Sequence, residues 1–121
     1  GGHKIIIDEH PAFGGEDTAP SPVAMLLASL AGCINAIGQW VAKEMDFVIE
    51  KLDINIDGDV DATAFFTGNM EKRAGFSKID VQISLKADIT EEQKEKWLKN
   101  VIERCPVTDN IINSTEVHFK A

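Results

Sequence analysis

No charged residue lies between Asp17 and Lys43. Within that stretch Ser21-Pro22 has the form of a helix start: serine can take a backbone N–H as N-cap, and proline at the first helical position forfeits no hydrogen bond. The spacing predicts one helix from Pro22 to about Met45. Its length would span a bilayer. Ser29, Asn35, Gln39 and two interior glycines argue against that reading, because polar groups inside a span are costly. The remainder of the chain has the look of an ordinary soluble domain. A helix apolar on all sides also suits the buried centre of a soluble fold or dimer. Ala24, Ala28, Gly32 and Ala36 recur every four residues, a small-residue ridge that lets another helix approach closely. The expectation is therefore a central helix and no membrane.

The rest of the pattern mixes strands and helices. Ile5-Ile6-Ile7, within His3 to Asp8, is a β-branched run and predicts a first strand. Phe47 to Asp57 alternates, with Leu52, Ile54 and Ile56 on one face and Asp53, Asn55 and Asp57 on the other. Gly58 to Gly75 is less regular and is expected as a strand end and loop anchored by Phe65-Phe66. Ile79, Val81, Ile83 and Leu85 mark a further strand. Thr90-Glu91-Glu92-Gln93 has the form of a capping box opening a helix to Arg104. Cys105-Pro106 starts a short helix, and Ser114 to Lys120 is expected as a last strand. The order predicts a single α+β domain over residues 1–121, with antiparallel pairing.

Charge narrows the partners. Twenty acids against twelve bases give a net charge of -8. Nucleic acid is not expected, since phosphate binding needs a clustered basic footprint. The start, Gly1-Gly2-His3-Lys4, shows no long apolar leader, and a reducing cytoplasmic setting is the expectation. His3, His10 and His118 are dispersed, and no metal or other cofactor is expected.

Two cysteines, Cys33 and Cys105, carry whatever redox chemistry the chain has. They are too few for a disulfide scaffold. Cys33 lies within the apolar helix. Cys105 occupies an N-cap position, where free N–H groups favour a thiolate, and Arg104 adjoins it. On the residues alone Cys105 is the more acidic thiol, and two readings stay open: a functional pair, or two packed core thiols. Asn35 and Gln39, at i,i+4 near Cys33, are candidates for a polar pocket or for helix cross-links.

The run Gly14-Gly15-Glu16-Asp17-Thr18-Ala19-Pro20-Ser21-Pro22, followed by Leu26-Leu27-Ala28-Ser29-Leu30-Ala31-Gly32-Cys33, resembles the first signature of the OsmC/Ohr superfamily. Cys105-Pro106-Val107 resembles the second. Gly58-Asp59-Val60-Asp61 and Arg73-Ala74-Gly75-Phe76-Ser77-Lys78-Ile79 resemble its middle. The resemblance implies an intertwined homodimer, with antiparallel sheet wrapped around long central helices and a site near the interface. It implies a chain that starts late in the family pattern, with one or two N-terminal strands missing. It also implies a thiol-dependent reductase of organic hydroperoxides, in defence against oxidative stress. There Cys33 attacks the peroxide, Cys105 resolves the sulfenic acid, and a dithiol such as a lipoyl protein resets the pair. The alternative is an OsmC-like domain that binds a small apolar ligand, or is structural, without turnover. The family's peroxidases also use an early arginine and a glutamate just after the helix-starting proline. Here no arginine precedes Arg73, and Val23 and Ala24 stand at the glutamate's place. Arg73, Arg104 or Lys43, and Glu16, are the groups left to replace them.

Overall fold

A computed structural model describes residues 1–121. Helix α1 spans Pro22–Glu44. Ser21 caps it, its hydroxyl accepting the Ala24 N–H at 3.2 Å. The helix stops where Asp46 turns left-handed, at φ 58. Strands β1 (Ile49–Val60) and β2 (Phe76–Ala87) then form an antiparallel pair. Leu52 sits opposite Leu85, Ile54 opposite Ile83 and Ile56 opposite Val81. The period-2 alternation turns Leu52, Ile54, Ile56, Ile83 and Leu85 toward the core. The hairpin thus lies along one side of α1 and does not encircle it.

Helix α2 (Ala62–Thr67) occupies part of the stretch expected as loop. Its signals were Asp61, which caps the Thr63 N–H at 2.9 Å, and Gly68, left-handed at φ 70. Helix α3 (Glu91–Arg104) opens with the expected capping box, Thr90 and Gln93 bonding reciprocally at 2.9 and 3.1 Å. Helix α4 (Pro106–Ile112) follows at once.

The core is small and sits between α1 and α3. Leu30, Ile34, Val41, Ala42, Trp97, Val101 and Cys105 are buried. Trp97 fits because residue 38 is glycine: a Cβ there would lie 2.9 Å from Trp97 Cζ2. The indole Nε1–H donates to the Gly38 carbonyl at 2.9 Å, so its one polar atom is satisfied.

Both expected outer strands are absent. Residues 3–8 and 114–120 form no ladder, and Ile6 and Phe119 are 72% and 93% exposed. A β-branched run becomes a strand only beside a partner edge, and neither segment meets one within this chain. The ridge Ala24, Ala28, Gly32 and Ala36 is likewise uncovered, with open space around Gly32.

Candidate active site

The cysteines, 72 positions apart, meet. Cys33 Sγ and Cys105 Sγ share a hydrogen bond at 2.8 Å. Both are free thiols. The separation is inside contact distance and longer than the ~2.05 Å of a disulfide. Packing of α3 on α1 produces this: Trp97 seats against Gly38, and two turns later the α3–α4 junction reaches Cys33.

The two sulfurs differ in environment. Cys105 is fully buried and Cys33 partly exposed. Cys105 caps α4, accepting the Thr108 N–H at 3.4 Å. Burial pushes the Cys105 thiol up, but hydrogen bonds from Cys33, Thr108 and the Val107 backbone outweigh it and leave it below the ordinary value. Burial pushes Cys33 up, Cys105 adds to this, and the Val107 N–H opposes it. Cys105 is thus the more acidic thiol and Cys33 the more reachable one.

Arg104 does not assist Cys105. It forms a two-pronged ion pair with Glu44, at 2.5 and 3.0 Å, and Glu44 also accepts the Trp40 indole N–H at 2.6 Å. Glu44 lies eleven residues past Cys33, about 16 Å along the helix, so the guanidinium is drawn away from the sulfurs. Lys43 stands at that same far end. Asn35 and Gln39 fall about 200° and 240° around the axis from Cys33. Both are exposed and neither reaches the thiols.

Glu16 is exposed in the loop before α1, where its backbone N–H donates to Asp8 at 3.1 Å. Asp8, which the sequence reading passed over, organises that loop. Its carboxylate also accepts the Thr18 N–H at 2.9 Å and hydroxyl at 2.7 Å. These bonds hold its pKa down to about 2. The signal was an Asx-type acceptor preceding a run of glycines and small polar residues.

Two clefts are lined by residues next to the pair in the chain, and neither sulfur lines either of them. One of about 460 Å³ is apolar except for Thr108, whose N–H contacts Cys105. The other, about 680 Å³, includes Ser29, one turn before Cys33, with Val107 and Arg73. Of the supporting residues named from sequence, only Arg73 lines one of these clefts, and none contacts a sulfur.

An α+β fold with a long helix, a two-stranded antiparallel sheet and a dithiol between two helices is a recognisable class. The family model described as OsmC-like protein matches residues 14–120, and the chain belongs to that family. An OsmC-like protein from Mycoplasma pneumoniae has the same fold, with TM-score 0.73 and 23% identity over 88% of this chain and 70% of that one. An OsmC-like hydroperoxide resistance protein from Jannaschia sp. gives 0.65 and 18%, covering 84% and 66%. An organic hydroperoxide resistance protein OsmC from Legionella pneumophila gives 0.60 and 23%, covering 86% and 70%. No curated protein matches the sequence.

Proposed function

We propose that this chain is a thiol-dependent hydroperoxide reductase that works through Cys33 and Cys105. The observation that carries the reading is the 2.8 Å separation of two free thiols, one of them bonded by Thr108 from the wall of an apolar cleft. Cys33, the exposed member, attacks as thiolate. Its sulfur bonds the terminal peroxide oxygen, the O–O bond breaks, and the alkoxide leaves to take a proton as alcohol. Cys33 is then the sulfenic acid. The Cys105 sulfur displaces its hydroxyl, which leaves as water, and the disulfide forms. A dithiol reduces the disulfide by exchange, becoming a disulfide itself and returning both thiols. A reducing cytoplasm, where lipoyl-type dithiols occur, is the setting this requires. The names of the Jannaschia and Legionella relatives support the reading.

A homodimer belongs to the same proposal. The uncovered ridge on α1, the unpaired edges of β1 and β2, and the exposed apolar termini are surfaces a second copy would cover.

The test is consumption of cumene hydroperoxide and hydrogen peroxide with dihydrolipoamide as reductant. The expected result is turnover that favours the organic peroxide, lost in Cys33→Ser. The Cys105→Ser protein is expected to collect sulfinic acid at Cys33, seen by intact mass. A Cys33→Ser protein that reacts as fast as the parent sinks the reading. A second reading, ligand binding without turnover, rests on the lack of any ammonium or guanidinium bonded to either sulfur. It predicts thiols that persist in excess peroxide.

A further inference from the structure

Ten residues line the 460 Å³ cleft, and nine of them are apolar. The exception is Thr108, the third residue of α4. It is half-buried, and its N–H donates to Cys105 Sγ at 3.4 Å. Residue 108 therefore belongs both to the cleft wall and to the surroundings of the dithiol.

The N–H serves the helix cap, with sulfur standing where a serine or aspartate oxygen usually accepts. The cap makes no demand on the side chain. In a wall otherwise made of leucine, isoleucine and valine, a hydroxyl is unfavourable unless it has a partner. The hydroxyls of Thr18, Thr67 and Thr115 each donate to an oxygen nearby, and that of Thr108 does not. Its partner is sulfur: the Thr108 side chain joins the N–H in holding the Cys105 thiol below its ordinary value. An O–H bonds a thiolate more strongly than a thiol, so it favours the ionised form.

No charged side chain competes for this role. On α1 the only charges are Lys43 and Glu44, at its far end. In the last turns of α3, Glu103 lies 3.9 Å from Lys99, and Arg104 is held by Glu44. On α4 the only charge is Asp109, which accepts from Asn113 at 2.9 Å. Cys33, at 2.8 Å, is the remaining titratable neighbour.

We propose that the Thr108 hydroxyl is the positioning group of the dithiol, steadying the Cys105 sulfur as acceptor of the Cys33 proton. The S–H bond of Cys33 breaks, its proton passes to the Cys105 thiolate, and Cys33 is left as the thiolate that attacks. The inference rests on the redox reading of the pair and gives it a further residue.

Titration of the reduced, full-length protein by thiolate absorbance tests it without peroxide. Thr108→Val keeps the β-branched shape and the backbone N–H and removes the hydroxyl. In that variant the first of the two thiols is expected to ionise at higher pH than in the parent. Thr108→Ala is expected to show the same rise, and Thr108→Ser to return to the parent's behaviour. The first stoichiometric oxidation of Cys33 by cumene hydroperoxide at neutral pH is expected to be about three- to tenfold slower in Thr108→Val. This is the loss of one bond to a charged group, offset in part by the greater nucleophilicity of a more basic thiolate. The two rates should converge above the variant's thiol titration. A residue that only supports the fold would lower Tm and leave the titration in place. A titration unmoved in both Thr108→Val and Thr108→Ala overturns the proposal, and so does a Thr108→Ser protein that shifts as far as Thr108→Val. If Thr108→Val does not fold, the alanine and serine proteins decide. A parent that consumes no peroxide, with the titration shifting as expected, defeats the redox reading. Turnover in the parent with an unmoved titration defeats this inference alone.

Discussion

Gly38→Ala puts the α1–α3 contact to its sharpest test. Within a helix interior, alanine is favoured over glycine by about 1 kcal/mol. At position 38 that gain meets a clash. The new methyl would stand 2.9 Å from Trp97 Cζ2 and 3.7 Å from Leu52 Cδ2. Trp97 is fully buried and cannot swing into solvent. Shifting the ring lengthens its 2.9 Å bond to the Gly38 carbonyl, which is the only partner of the indole N–H. Overpacking of this kind costs about 1–3 kcal/mol, and a weakened buried hydrogen bond adds about 1 kcal/mol. The expected net loss is about 1–3 kcal/mol, a fall in Tm of roughly 4–12 °C. Thermal unfolding of the reduced protein, followed by far-UV circular dichroism at fixed concentration, reads it. Trp97→Phe removes the Cζ2 edge, so the alanine should cost less in that background, and the double-mutant cycle isolates the contact. A Gly38→Ala protein as stable as the parent, or more so, refutes the close-approach account of this glycine.

Three further outcomes are expected. Gly32→Leu leaves the single chain's packing untouched, since nothing lies near that Cβ. It should shift sedimentation from dimer to monomer if the α1 ridge is the seam between copies. Cys33→Ala removes a hydrogen bond that lowers Cys105, so thiolate absorbance should show Cys105 titrating at higher pH than in the parent. In the parent, the lowered Cys105 value contributes stability that is complete above about its ordinary 9.0 and is lost as pH falls through the folded value. Asp8, held near 2 against an ordinary 3.8, stabilises its loop fully above the ordinary value, and this is lost as pH falls toward 2. Asp8→Asn should speed amide exchange at Glu16 and Thr18 at neutral pH, while the α3 amides stay protected.

Local chemistry made much of this fold legible. Ser21-Pro22 and Thr90 to Gln93 place helix starts where the caps form, because a cap needs only a few adjacent residues. The alternation from Leu52 and from Ile79 marks both strands of the hairpin. The failures at residues 3–8 and 114–120 have one cause: a strand needs a partner edge, and the pattern of one segment cannot say which chain supplies it. Helix α2 was hidden because Phe65-Phe66 breaks any apolar period, although Asp61 and Gly68 bracket it. In the site, the N-cap position of Cys105 was readable. The meeting with Cys33 was not, since it depends on how Trp97 seats against Gly38. The diversion of Arg104 to Glu44 was equally out of reach, because adjacency in sequence says nothing about where a long side chain finds its partner.

That diversion matters to the proposed chemistry, because it leaves acidity and access on different sulfurs. Cys105 gives up its proton more readily, but Cys33 is the more exposed sulfur. At 2.8 Å the two thiols are close enough that their titration belongs to the pair, and the first proton lost is shared between them. The charge rests mainly on Cys105, with the Cys33 proton directed at it. For Cys33 to attack, that proton must pass to Cys105, which then acts as the base that a nearby arginine would otherwise make unnecessary. Cys105 accordingly has two tasks, and its removal should slow two steps. In Cys105→Ala, the first stoichiometric oxidation of Cys33 should be slower than in the parent and should regain speed at higher pH, where Cys33 ionises unaided. Rapid-mixing measurement of sulfenic acid formation under single-turnover conditions separates this from the loss of disulfide closure. A first oxidation as fast as the parent's across the pH range would show that Cys33 is activated without its neighbour, and Cys105 would then be a resolving thiol only.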